Sequence, residues 1–446
     1  MRIQAFRSSF LDFIADPFFV PEADSVRYFA DGLLVLEDGK VQELGHYAEL
    51  RDRYPEVAIV DYSGHLIMPG FIDTHIHFPQ VEVLASYGEQ LLEWLDKYTF
   101  PIEGRFKDKA HADKVAKIFL DELLKNGTTT ALVFATVHPQ SVDAFFEEAQ
   151  RRNLRMIAGK SMMDRNAPDF LTDTATSSYQ ENKELIQKWH KNGRLLYAVT
   201  PRFAVTSTDE QLQLAGKLLA EFPDVYMHTH LSENVNEVEL VAQLFPNSTG
   251  YLNVYDQAGL VRSRSVFAHC VQLRDDEFRR LSEAQAAIAF CPTSNLFLGS
   301  GLFKLMQAKS KEYSIHVGLG TDIGGGTSFS MLQTAHEAYK VVQLQRQKLS
   351  PFKALFLATL GGAKALYLDD TIGNFDPGKE ADFVVLDLQA TPLMEFRTPN
   401  PTATSFEDLM EKVFTLIVLG DDRATRATYI MGDLAYDRAS PNTSHS

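Results

Sequence analysis

The sequence predicts an α/β fold: a TIM-like (β/α)8 barrel with a small β-sandwich domain built from both chain ends. Three observations lead to this prediction. Apolar runs of strand length alternate with polar stretches of helical periodicity through the middle of the chain, and eight such runs can be counted. Eight βα units imply a parallel sheet that closes into a barrel. Short alternating segments separated by turns occur at both ends, and histidines and an aspartate follow several of the central runs.

The two ends of the chain are predicted to form one β domain. Residues 1–66 contain alternating segments such as 32–39, and residues 373–440 contain strand-like stretches at 378–387 and 428–432. The barrel is expected over 67–372. A tail rich in Ser and Asn, 441–446, is expected to be disordered.

The barrel strands and helices are predicted from the alternation itself. The predicted strands are 66–72, 127–135, 155–161, 195–200, 225–230, 265–269, 286–291 and 315–321. The predicted helices between and after them are 110–125, 142–152, 177–192, 209–221, 234–245, 275–283 and 331–347.

Composition limits the classes of function. The formal net charge of −16 argues against binding to nucleic-acid backbone or an anionic membrane. Only two cysteines, Cys270 and Cys291, are present, which excludes a disulfide-rich secreted scaffold. No signal peptide is recognisable, and no uncharged apolar run approaches the ~20 residues that span a bilayer. A cytoplasmic enzyme without nucleic-acid or membrane partners is therefore expected.

The first predicted barrel strand leads into His75 and His77. Alternate residues of a strand point to the same side, so both imidazoles can face one metal ion. Neutral imidazole is a common ligand for zinc and also suits iron. A histidine pair alone is weak evidence, because two histidines can also cap a strand or form a polar patch.

Three further strand ends strengthen the prediction. His230, His269 and Asp322 each follow another apolar run, and barrel enzymes carry their chemistry at the carboxyl ends of the strands. Imidazoles and one carboxylate around a divalent ion leave a position for water. Other interpretations stay open at this point: Asp322 as a helix N-cap, Glu233 as a solvated loop acid, and His228 as a packed, hydrogen-bonded histidine.

The sequence resembles the amidohydrolase superfamily over essentially its whole length. The matching pieces are Pro69 to His77, His230 to Glu233, His269, and Thr321-Asp322, with 378–387 similar to the family's closing β segment. The resemblance implies one divalent metal ion, zinc in first place and Fe²⁺ as the alternative. Its implied ligands are His75, His77, His230 and Asp322, with His269 beside the metal, contacting the bound water.

The resemblance also favours one metal over two. Two-metal relatives carry a carboxylated lysine at the end of strand 4, and Arg202 occupies that region here. Lys160, on strand 3, is interpreted as a supporting ion-pair residue.

Three details are similar to the superfamily members that act on guanine: Phe78-Pro-Gln80, Thr200-Pro-Arg-Phe203 and His230-Leu-Ser-Glu-Asn234. The resemblance implies a hydrolase acting on the C–N bonds of cyclic amidines. It would convert guanine, a small-molecule purine, to xanthine and ammonia by attack of a metal-bound hydroxide, in purine catabolism, and would be a homodimer. The implied catalytic residues are Glu233, Asp322 and His269. The implied substrate-binding residues are His77, Gln80, Arg202, Phe203, His230, Glu233 and Asp322.

Two alternatives remain from the sequence. A sister aminohydrolase could act on another aminated ring, such as 8-oxoguanine, a pterin, a triazine or an adenosine-derived thioether. A non-catalytic scaffold on the same barrel is less favoured, because such a protein is expected to have lost metal-ligand residues that this sequence retains.

Overall fold

The computed structural model describes residues 2–439, so the predicted disordered tail at 441–446 lies outside the described residues. Backbone contacts divide the chain into two compact units. One comprises residues up to 72, 122–129 and 330 onwards, and the other comprises 73–121 and 130–329. The domain boundaries expected after residues 66 and 372 stay a prediction. Among residues 2–439, no helix has both the length and the apolar composition needed to cross a membrane.

The strands are numbered in chain order. They are β1 (Ile3–Phe13), β2 (Val26–Glu37), β3 (Lys40–His46), β4 (Ile59–Pro69), β5 (Phe71–His77), β6 (Thr128–Phe134), β7 (Arg155–Gly159), β8 (Ser161–Met162), β9 (Leu196–Pro201), β10 (Tyr226–Leu231), β11 (Ser265–His269), β12 (Ala287–Phe290), β13 (His316–Leu319), β14 (Phe383–Leu386), β15 (Thr425–Ile430) and β16 (Asp433–Asp437).

The α-helices of six or more residues follow the predicted alternation in the barrel and continue beyond it. They are Lys109–Lys125, Pro139–Arg151, Ala175–Trp189, Asp209–Glu221, Val235–Leu244, Tyr251–Gln257, Asp275–Glu283, Pro292–Phe297, Met331–Leu344, Pro351–Leu357, Leu360–Ala365, Pro392–Arg397 and Phe406–Leu419.

The first unit contains a seven-stranded sheet made from both chain ends, in the order β16-β15-β14-β4-β1-β2-β3. Strand β14 pairs antiparallel with β4, which joins the C-terminal strands to the N-terminal ones. The sheet curls, because Phe6 on β1 contacts Tyr429 on β15 with ring centroids 5.1 Å apart although two strands separate them. The predicted strand-rich domain from both ends of the chain is confirmed.

The second sheet is the predicted parallel barrel, with the order β13-β12-β11-β10-β9-β7-β6-β5 and β8 beside β9. Its first and last strands meet through two hydrogen bonds. The Thr74 hydroxyl donates to the Leu319 carbonyl at 2.9 Å, and the Asp322 N–H donates to the His75 carbonyl at 2.9 Å. The predicted (β/α)8 fold is confirmed.

One predicted strand is wrong in its extent. The apolar run 66–72 was expected to be the first barrel strand, but it divides between β4 of the first sheet and β5 of the barrel. Gly70 is the break. A Cβ there would lie 2.1 Å from the Thr129 hydroxyl, and its N–H donates to the Asp382 carbonyl. Both strands are apolar because both are buried, so hydrophobicity alone shows no boundary between them.

The C-terminal part also contains a helix, Phe406–Leu419, where only strands were expected. The Ser405 hydroxyl caps it by accepting from the Asp408 N–H at 3.1 Å. Its buried residues are Leu409, Val413, Leu416 and Ile417. That spacing is helical, so the signal was present in the sequence.

Candidate active site

Four side chains from separate barrel strands converge at one point. One nitrogen or oxygen atom from each of His75, His230, His269 and Asp322 lies within 4.8 Å of the others. His77 joins the group, because its Nε2 lies 3.2 Å from His230 Nε2 and 3.3 Å from Asp322 Oδ1. His75 Nε2 lies 3.2 Å from the same oxygen. Ligand atoms of a tetrahedral zinc site are about 3.3 Å apart at ordinary bond lengths, so these spacings fit one divalent ion.

The second ring nitrogen of three histidines is held by a neighbour. His75 Nδ1 is 2.7 Å from His228 Nε2, His230 Nδ1 is 2.6 Å from the Arg202 carbonyl, and His269 Nδ1 is 2.9 Å from Asn295 Oδ1. The Nε2 atoms of His75 and His269 are buried without a hydrogen-bond partner among the described residues. Partners of this kind orient metal-binding imidazoles. His228 is thus buried and hydrogen-bonded, as expected.

The protonation states also suit a cation. Burial lowers the pKa of His75 and of His230, and lowers that of His77 to about 3, so these imidazoles are neutral at pH 7. Burial would raise the pKa of Asp322, but the close approach of His75 and His77 to its carboxylate outweighs burial and holds the pKa well below its usual range. Neutral imidazole and carboxylate are the forms that bind metal. The donor set therefore fits the metal ion that the resemblance implies.

The backbone at the strand ends departs from ordinary geometry. His269 and Asp322 have φ angles of 71° and 52°, in the left-handed region. Few residues with a Cβ adopt this region, and such strain concentrates at functional sites. Here it turns each side chain at the point where its strand ends.

A cavity opens beside the cluster. Its lining includes eight of the nine site residues predicted from the sequence: His77, Gln80, Arg202, Phe203, His230, Glu233, His269 and Asp322. The ninth, His75, lies beneath, against Asp322. Leu91, Trp94 and Leu95 line it too, and they come from the segment 86–109, whose length and aromatic residues make it a candidate lid over the substrate from the sequence alone.

Glu233 is a buried acidic residue in the wall of this cavity. Its side chain is 2% exposed, so the interpretation as a solvated loop acid is wrong. Burial and the charge of Asp322 raise the pKa of Glu233 to about 8. The Ser300 hydroxyl donates to Glu233 Oε1 at 3.0 Å, and His269 Nε2 lies 3.5 Å from Oε2. A carboxyl that is largely protonated at neutral pH can act as a general acid.

A hydrogen-bonded pair of side chains occupies another part of the cavity wall. Gln80 and Arg202 are 3% and 2% exposed, and both contact the same buried carboxylate, Glu103. Gln80 Nε2 donates to Glu103 Oε1 at 3.1 Å, and Arg202 Nη1 donates to Glu103 Oε2 at 2.7 Å. Sequence reasoning missed Glu103, because it lies in a run of short helices with no motif around it.

Lys160 lies outside the metal cluster. Its buried ammonium pairs with Asp173 and, at 3.2 Å, with Glu181. This is the ion-pair role expected from the sequence.

Comparison with known proteins agrees with this geometry. Residues 66–434 match the amidohydrolase family. Guanine deaminase of Escherichia coli is 55% identical over 98% of this chain and 98% of its own length. The solved structure of E. coli guanine deaminase superimposes on this chain with a TM-score of 0.94. The match covers 98% of this chain and 100% of the solved chain. Guanine deaminase from C. acetobutylicum, solved with guanine in its active site, is 29% identical with a TM-score of 0.87, over 98% of this chain and 100% of that one.

Proposed function

The chain belongs to the amidohydrolase family, and we propose that it hydrolyses guanine to xanthine and ammonia. The observation that carries the proposal is the shared cavity. Its wall brings together candidate metal ligands, the protonatable carboxyl of Glu233 and the polar side chains of Gln80 and Arg202. The relatives that match nearly the full length of the chain are guanine deaminases.

His75, His77, His230 and Asp322 would hold the metal ion, with zinc proposed in first place and Fe²⁺ as the alternative. A divalent ion there supplies a Lewis acid that lowers the pKa of bound water to roughly 7. His269 is proposed to lie beside that water and not to bind the ion, because its Nε2 faces both Glu233 Oε2, at 3.5 Å, and Asp322 Oδ2, at 3.8 Å.

The side chains then move the protons. Asp322 and His269 accept and orient the proton of the attacking water as the new C2–O bond of the purine forms. Glu233 donates its proton to ring N3, takes up the water proton, and passes it to the exocyclic amine as the C2–N bond breaks. The second proton of the water leaves the C2 oxygen as the carbonyl forms and returns to Glu233. The amine leaves as ammonia, the ring is xanthine and Glu233 regains its proton, so atoms and protons balance.

Gln80 and Arg202 are proposed to read the purine edge. Guanine presents O6 and N7 as acceptors, which a guanidinium matches, whereas adenine presents a donor at N6. Phe203 lies in the cavity wall, with its ring 6.4 Å from that of His230, and offers a face for the purine.

The test is incubation of the metal-loaded protein with guanine, with xanthine and ammonia both quantified. Equimolar xanthine and ammonia are expected. A panel of 8-oxoguanine, a pterin, a triazine and an adenosine-derived thioether identifies a sister aminohydrolase if one of these is turned over and guanine is not. Absence of stoichiometric metal together with absence of turnover on the whole panel would instead indicate a non-catalytic scaffold.

A further inference from the structure

We propose that Glu103 is a positioning residue that sets which purine edge this cavity accepts, by fixing Gln80 as an acceptor and Arg202 as a donor. The inference rests on the proposed function and deepens it. Glu103 is itself 1% exposed and is absent from the cavity lining, so it acts through the two side chains that it holds.

The first step concerns the amide of Gln80. A carboxylate paired with a guanidinium only accepts hydrogen bonds, so Glu103 requires the NH₂ group of Gln80 to face it, as the 3.1 Å contact shows. The reverse orientation would place two oxygens against each other. The amide oxygen of Gln80 is therefore the atom left for a ligand in the cavity.

The second step concerns Arg202. Its Nη1 is engaged by Glu103 at 2.7 Å, and its guanidinium carbon lies 5.4 Å from the centre of the Phe100 ring. A guanidinium has five N–H donors in a fixed plane, so this bond orients the donors that remain for a ligand. Glu103 also balances the buried positive charge, which would otherwise be costly in an empty cavity.

Acceptor beside donor is the complement of guanine. Its N1–H is a donor, and the adjacent O6 is an acceptor. 2-Aminopurine carries the same leaving amine on C2, but its N1 is an acceptor and position 6 holds only hydrogen. With the Gln80 oxygen fixed as an acceptor, guanine is favoured because its N1–H can donate to that oxygen. In 2-aminopurine, the lone pair of the unprotonated N1 would face the lone pair of the Gln80 oxygen, and the two repel.

The order of the residues matches the order of the atoms. A Cβ at Gly324 would lie 2.0 Å from Gln80 Oε1, so Gln80 packs against the backbone two residues after Asp322. Contacts then lead from Gln80 to Glu103 and on to Arg202. Going round the purine from C2, where the water attacks, N1 comes first and O6 follows. Gln80 beside N1 and Arg202 beside O6 reproduce this sequence.

The experiment compares kcat/KM for guanine and 2-aminopurine in the metal-loaded wild type, Glu103→Gln and Glu103→Asp. A glutamine at 103 can donate as well as accept, so it frees the Gln80 amide to turn over. We expect the preference for guanine to fall at least ~10-fold, because a hydrogen bond to a charged group is worth about that much. Glu103→Asp keeps an acceptor-only group and should retain the wild-type preference even if both rates fall.

Asp12→Asn is the matched control. Asp12 is a fully buried carboxylate that accepts from Arg27 Nε at 2.8 Å, in the seven-stranded sheet. Its loss should leave the substrate preference unchanged. Gln80→Met gives an independent measurement should Glu103→Gln not fold: removal of the acceptor should also lower the preference for guanine.

The outcomes separate the two proposals. No xanthine from the wild type contradicts the proposed function itself. Wild-type turnover combined with equal losses on both bases in Glu103→Gln would make Glu103 merely structural and overturn the inference. An unchanged preference in Gln80→Met would do the same, because the acceptor role of Gln80 would be absent.

Discussion

Replacing Glu233 with glutamine tests the proton transfer at the centre of the proposed reaction. The carboxyl is 2% exposed, and burial with the charge of Asp322 raises its pKa to about 8, so it carries a proton at neutral pH. Glutamine has nearly the same shape and can still accept from the Ser300 hydroxyl, which lies 3.0 Å from Oε1. It cannot release a proton to N3 or return one to the leaving amine.

The expected loss follows from the role. General acid–base catalysis contributes ~10²- to 10⁴-fold, which corresponds to about 3 to 5 kcal/mol in the barrier. Turnover of guanine in Glu233→Gln should therefore fall by at least ~10²-fold. The metal content should remain at the wild-type value, because Glu233 is not among the four residues whose atoms cluster within 4.8 Å.

The assay follows xanthine by absorbance and measures metal by elemental analysis on the same sample. Glu239→Gln is the matched control: it makes the same substitution at an exposed position of the helix Val235–Leu244, which begins two residues after Glu233. This control should keep full turnover. Near-normal turnover in Glu233→Gln would remove Glu233 from the mechanism, and loss of metal would show that it supports the ion instead.

Three further outcomes are expected. His75→Ala should abolish stoichiometric metal binding, whereas His228→Ala, which only orients His75, should weaken metal affinity by ~10- to 100-fold; titration with a competing chelator distinguishes the two. Arg202→Ala should lower the ratio of guanine to adenine turnover by about tenfold or more, and an unchanged ratio would place edge recognition elsewhere. Burial raises the pKa of Glu237 to about 7, so the stability that this group contributes is present below its ordinary pKa and lost as pH rises through about 7. The free energy of unfolding of wild type relative to Glu237→Gln should therefore decrease between pH 5 and pH 8, and a constant difference in denaturant titrations would contradict this.

The clustering of the candidate metal ligands could be predicted from the sequence because these residues stand at strand ends. In a parallel barrel the carboxyl ends of all strands face one rim, so the positions of His230 and His269 after apolar runs already imply convergence. The register shows why this works: His230 pairs with Ala268 and Leu231 pairs with His269 on adjacent strands. The positions of these side chains are set by the strands that carry them, and the strands are indicated by apolar runs in the local sequence.

The recognition side of the cavity was only partly predictable. Gln80 and Arg202 could be proposed because each stands in a short stretch similar to relatives. Glu103 could not be predicted, because its contact Arg202 lies 99 positions away in the sequence and no periodic pattern of residues indicates such a contact. Gly70 was missed for a related reason: its role depends on Thr129, a residue that approaches it only in the folded chain.

The candidate metal ligands and the Gln80–Arg202 pair are held in place in different ways, so substitutions near them should have different effects. The candidate metal ligands are fixed by strand register and by partners such as His228 and the Arg202 carbonyl, so a substitution at one of them should disturb the proposed chemistry directly. The orientation of the Gln80 amide and of the Arg202 guanidinium depends instead on one carboxylate, that of Glu103. In this proposal Glu103 contacts neither the ion site nor the purine. If Glu103 has the proposed role, its substitution should alter which purine is accepted while the hydrolytic centre stays intact. Substrate preference would then be separable from catalysis, because different parts of the fold hold the two sets of side chains.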